Sequence, residues 1–158
     1  MPWKSILVLC ALMLAGCDTA STPRASIVTA IGQLQPDPAT AAFFIEEATK
    51  AGVADILLVH AGPGGSYGST TMTSDTMRPV IRINVDRPGA ASATNIAHEI
   101  SHSAAYKRHC FNHGERWLAY HLGIAQRFEA RFPGVKWSGQ SPAANVAGKA
   151  ARYPNDHC

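Results

Sequence analysis

HEISHSAAYKRHCFNHGERW, residues 98–117, is the stretch on which the reading of this chain turns. Its first five residues, His98-Glu99-Ile100-Ser101-His102, form an HExxH pattern. On a helix, residues four apart lie on one face, so both imidazoles can reach one ion. Glu99 follows the first of them and projects where it can take a proton from a water beside that ion. The residues around the pattern are helical in period. Ile96, Ile100 and Ala104 fall one turn apart, which predicts a helix from Ala90 to about Lys107 with one buried side.

A second helix is expected from Asn112 as N-cap, with Glu115 three residues on, to about Arg131, ending at Pro133-Gly134. It matters because a zinc ion that keeps one position for water needs a third protein ligand. Five of the 7 histidines lie between His98 and His121. His109 is seven residues past His102, about 10 Å further along a straight helix, too far for the same ion. His113 starts the second helix after a loop that can fold back, and is the favoured ligand. His121 is the alternative, since an antiparallel helix could also present it.

Working back towards the N-terminus, Arg78 to Asp86 reads as a strand with Ile81, Ile83 and Val85 on one face and Arg82 and Asn84 on the other. That pattern suggests a half-exposed edge strand, paired with Ser69 to Thr73 in a hairpin around Ser74-Asp75. Gly62 to Gly68 (GPGGSYG) is a loop, and not a phosphate loop, because no Lys-Ser/Thr follows its glycines. Asp55 to His60 has the pattern of a buried strand, with His60 a satisfied histidine near the core. Asp37 to Ala51 reads as a helix capped by Asp37, with Pro38 in its first turn and Gly52 beyond its end. Ala25 to Leu34 is expected to be a strand, and a short helix is expected near Ala143 to Ala151. Trp117 and Tyr120 are expected to pack the core. Tyr106, His109, Arg116 and Tyr120 are near enough in sequence to offer a donor to a developing oxyanion.

Residues 98–117 resemble the SprT-like metallopeptidases, which carry HExxH on one helix and a third ligand in a His-Gly-x-x-aromatic segment. His113-Gly114-Glu115-Arg116-Trp117 matches that segment. The resemblance implies His98, His102 and His113 as ligands of a Zn2+ ion and Glu99 as general base. It also implies a compact zincin fold with an edge strand beside the motif helix. It covers about half of the chain that would remain after processing. No zinc-ribbon tail of paired cysteines follows, and the spacing between the second and third histidines is slightly short for the family.

The N-terminus places this domain in a compartment. Lys4 and the apolar run Ile6 to Leu14 lead to Leu14-Ala15-Gly16-Cys17, which resembles a bacterial lipobox. Residues 1–16 are thus expected to be a lipoprotein signal peptide, with Cys17 lipidated, 17–24 a tether and 25–158 the domain. The alternatives are an ordinary secretory signal with Cys17 unlipidated, or an uncleaved anchor. Losing Lys4 lowers the formal net charge of +3 by one, and no basic cluster points to nucleic acid. Of 4 cysteines, Cys10 leaves with the signal and Cys17 carries the lipid. Cys110 and Cys158 remain in an oxidising compartment, where a bridge between them is favoured over two free thiols or Cys110 as a metal neighbour. In the chain-entropy account such a bridge contributes about 4 kcal/mol.

The expectation is therefore an α+β fold: a minimal zincin with a sheet of two to four strands against about three main helices and HExxH on the central one. The expected function is zinc-dependent hydrolysis of peptide bonds in periplasmic or surface substrates, from a lipid anchor on the bacterial envelope. The alternatives are an idle zinc-binding lipoprotein that binds a partner, and a hydrolase of cell-wall peptides. Oligomeric state is not legible.

Overall fold

A computed structural model describes residues 23–73, 78–106 and 108–150. The chain folds as α+β. Its elements run α1 (Ala25–Leu34), α2 (Pro38–Ala51), β1 (Asp55–Val59), β2 (Gly68–Met72), β3 (Pro79–Asn84), α3 (Ala93–Tyr106), α4 (Glu115–Arg131) and α5 (Pro142–Ala150). The expected signal peptide at residues 1–16, Cys17, the expected turn at Ser74-Asp75 and Cys158 lie outside the described residues. Among the described residues, no helix is long and apolar enough to cross a membrane.

The expected strand at Ala25 to Leu34 is instead the helix α1. Its Ile, Val and Thr favour a strand locally. Ile27, Ala30, Ile31 and Leu34, however, recur at helical spacing, and all four are buried. Tertiary burial of that stripe outweighs the β-branched composition, and Val28 is left exposed. α2 forms as its ends dictate. The Asp37 carboxylate accepts from the Thr40 amide at 2.8 Å, and Gly52 takes the left-handed conformation at φ 71°.

The sheet has order β1-β3-β2, with β1 parallel and β2 antiparallel to β3. β3 is therefore the central strand and not an edge, which is why Val80, Ile81 and Ile83 are all buried while only Arg82 faces out. The face assignment also changes at its end. Asn84 is buried and Val85 exposed. Asn84 turns inward because its amide donates to the carbonyls of Gly62 and Ser66 and accepts from the Ala61 amide, so it holds the glycine-rich loop in place. The edge strand beside the motif helix is β2.

α3 sits at the centre of the helical layer, packed against α2, α4, β2 and β3. Below it, Phe43, Phe44, Phe128, Phe132 and Trp137 form a continuous aromatic cluster joining α2 to α4 and the segment after it. The buried Glu47 carboxylate is met by Arg127 of α4 through two hydrogen bonds, at 3.0 and 2.6 Å. That bidentate pair fixes α4 against α2.

Candidate metal centre

α3 carries His98 and His102 one turn apart, on the side away from Ile96, Ala97 and Ile100, which bury into the core. After Tyr106 the chain reverses. Arg108 and His109 close turns back onto Ala105 and Tyr106, and His109 takes a left-handed conformation at φ 57°. Cys110 is fully buried there and disulfide-bonded; the Cys158 expected to pair with it lies outside the described residues. Asn112 accepts from the Gly114 amide at 3.0 Å, but it does not cap α4. That N-cap is Gly114, one residue before Glu115. The reversal delivers His113 to the face of α3 that carries the other two histidines. Trp117, fully buried, donates its indole N–H to the His98 carbonyl at 3.3 Å and locks the two helices together.

The three Nε2 atoms form a triangle. His98 and His102 are 3.3 Å apart, His102 and His113 3.2 Å, and His98 and His113 3.2 Å. A ring nitrogen either carries a proton and donates or offers a lone pair and accepts. Three such atoms in mutual contact cannot all pair with one another. At least one contact sets donor against donor or lone pair against lone pair. A shared cation removes the conflict, because all three then present lone pairs to it. The spacing agrees: tetrahedral metal–nitrogen bonds of about 2.0–2.1 Å place the nitrogens roughly 3.3–3.4 Å apart. Burial holds the His98 ring down to about 2 and the His102 ring to about 4, so both are neutral at pH 7, the form that ligates a metal. His98, His102 and His113 thus form a group able to hold a metal ion.

His121 stands apart from that triangle. Its ring is 5.7 Å from the His98 ring, fully buried between Trp117 and the region of Trp137, and burial takes it down to about 3. Neither of its ring nitrogens has a hydrogen-bond partner among the described residues.

Glu99 is 4% exposed. Its Oε2 accepts from the Thr70 hydroxyl at 2.8 Å, and the Thr70 carbonyl accepts from Tyr106 at 2.6 Å. Burial pushes the carboxyl up to about 7 against the opposing effect of Thr70. A group with that pKa is poised to exchange a proton near neutral pH. β2 passes so close that a Cβ on Gly68 would meet Glu99 Oε1 at 2.9 Å and the Arg82 carbonyl at 3.0 Å. Gly68→Ala is therefore expected to destabilise the fold by about 1–3 kcal/mol, the usual cost of overpacking. Gly64→Ala, which enters open space, should stay within about 0.5 kcal/mol of the parent. Chemical denaturation compares them directly. Equal midpoints would mean that β2 yields without cost.

Of the other sequence candidates, Tyr106 lies beside the site, its ring 6.3 Å from that of His102, but its hydroxyl is committed to the Thr70 carbonyl. His109, Arg116 and Tyr120 line a separate outer depression, with Arg116 bonded to the Arg108 carbonyl at 2.6 Å. Tyr120 is 38% exposed and does not pack the core, whereas Trp117 does. His60 is satisfied, by Asp86 at 2.7 Å, but at the surface and not near the core. Sequence reasoning missed three contributors: Thr70, Gly68 and Lys149. Only Gly68 carried a signal, as the last residue of a glycine-rich loop. No family model matches this chain, and neither a curated protein nor a solved structure is significantly similar to it.

Proposed function

We propose that this chain is a zinc metallopeptidase that hydrolyses peptide bonds in periplasmic or surface substrates, held to the bacterial envelope by a lipid on Cys17. The observation that carries the reading is the Nε2 triangle of His98, His102 and His113, with the buried Glu99 carboxylate on the helix that carries the first two. The SprT-like pattern of residues 98–117 supports it. His98, His102 and His113 would hold the ion. When bound, zinc acts as a Lewis acid that lowers the pKa of a water and polarises a carbonyl.

The rest is the work of side chains. Glu99 takes the proton of the attacking water and returns it to the leaving amine. Its Oε2 is steadied by Thr70, which leaves Oε1 towards the cavity wall at Gly68. The Gly68 backbone keeps that side narrow, and the aromatic ring of Tyr67 lines the cavity beside it. The Arg87 guanidinium stacks 3.8 Å above that ring and holds it in place.

Metal analysis of the purified protein, paired with a peptide-library digest, tests the reading. About one zinc per chain is expected, with cleavage that a chelator abolishes and added zinc restores. Cleavage that persists after complete chelation, or a fully loaded protein that cuts no peptide, would defeat it.

A further inference from the structure

A cavity of about 490 Å³ opens beside His98 and Glu99, lined also by Tyr67, Gly68, Asn95 and Lys149. Lys149 reaches it from α5, far along the chain, and the placement is built. Val146 of α5 is fully buried against the neighbouring elements. The Thr94 hydroxyl donates to Asn145 Oδ1 at 3.2 Å, and the Asn145 amide donates to the Trp137 carbonyl at 3.3 Å. Asn145 and Lys149 are four residues apart on α5 and so share a face. The bond from Thr94, in the first turn of α3, turns that face towards the metal-site helix.

Among the described residues that line the cavity, Lys149 is the one full cation and Glu99 the one acid. Lys149 thus shares the cavity wall with His98 of the nitrogen triangle and with Glu99, so a carboxylate drawn to its ammonium would lie beside both.

We propose that Lys149 anchors a substrate carboxylate in this cavity. The proposal rests on the peptidase reading and deepens it. The substrates are peptides that present a carboxylate, from a chain end or an acidic side chain, to one side of the bond that is cut. The ammonium has three donors, so it can bind a carboxylate and keep the contact it already makes within the chain. Lys149 is a specificity-determining residue in this account and takes no part in proton transfer.

The test uses the full chain loaded with zinc and three probes built on one alkyl hydroxamate. One ends in alanine with a free carboxylate, one in alanine amide, and one in glutamate with its main-chain carboxyl amidated. Affinities are read by calorimetry, so no turnover is needed. The free acid should bind at least about tenfold tighter than the alanine amide. If the glutamate amide shares that preference, an acidic side chain serves as well as a chain end. Lys149→Met should bring acid and amide to equal affinity with zinc content and the circular dichroism spectrum unchanged. Lys149→Arg, which keeps the charge, should retain most of the preference. Equal binding of acid and amide to the parent, or a preference that survives Lys149→Met, would overturn the proposal and leave the peptidase reading standing. Failure of every hydroxamate to bind would overturn both.

Discussion

Glu99→Gln should lower peptide turnover at least about a hundredfold, the lower range for loss of a general base, while zinc content and fold persist. The substitution keeps size and shape. The glutamine carbonyl can still accept from the Thr70 hydroxyl that now meets Oε2 at 2.8 Å. It loses only the ability to take a proton. The fold has no reason to suffer. The carboxyl at this place is raised from 4.5 to about 7 because burial penalises its charge. A raised folded-state pKa means that its contribution to stability is whole below 4.5 and is lost as pH rises through 7. An amide has no such penalty. The metal-free variant should thus equal the parent in acid and exceed it increasingly towards pH 8, as thermal melts across that range would show. If the protein were a partner-binding module with an idle metal, Glu99→Gln would behave like the parent in every functional assay. Full complementation of a deletion strain by the variant would favour that module over a peptidase.

His113→Ala should empty the metal centre. Losing a partner that only orients a ligand costs roughly ten- to a hundredfold in affinity, so losing a ligand itself should exceed that. The geometry leaves two nitrogens 3.3 Å apart and, among the described residues, no third donor within reach of both. His121→Phe should instead keep its zinc, because that ring lies outside the triangle. It also removes two buried ring nitrogens that have no partner among the described residues, so it need not destabilise the core. Equilibrium dialysis followed by elemental analysis distinguishes the two. Full occupancy in His113→Ala with an empty site in His121→Phe would reverse the ligand assignment.

The parts of this molecule that were legible in the sequence are those governed by local spacing. The four-residue interval of His98 and His102, the caps of α2 and the hairpin arms of β2 and β3 follow from the chain's own periodicity. What was not legible depends on neighbours distant in sequence. Nothing in Pro79–Asn84 says that β1 will pair with its far side, so a central strand looked like an edge. Asn84 looked like an outward polar residue because the loop carbonyls it serves belong to Gly62 and Ser66. In Ala25–Leu34 two signals conflicted, and the composition of β-branched residues masked the helical stripe. Lys149 joins the cavity only because α5 folds back over α3, which no pattern near it announces.

The placing of His113 in a chain reversal, with its two companions on the helix before it, has a thermodynamic corollary. The site exists only while the hairpin of α3 and α4 is shut, so every capture of an ion requires that closed form. The apparent dissociation constant equals the intrinsic one divided by the fraction of time the hairpin is closed. Contacts remote from the nitrogens, such as the Trp117 indole on the His98 carbonyl, thereby tune metal affinity without touching the ion. The same linkage runs in reverse: bound metal holds the hairpin shut, and the stability of α4 against α3 rises with the free metal concentration around the protein.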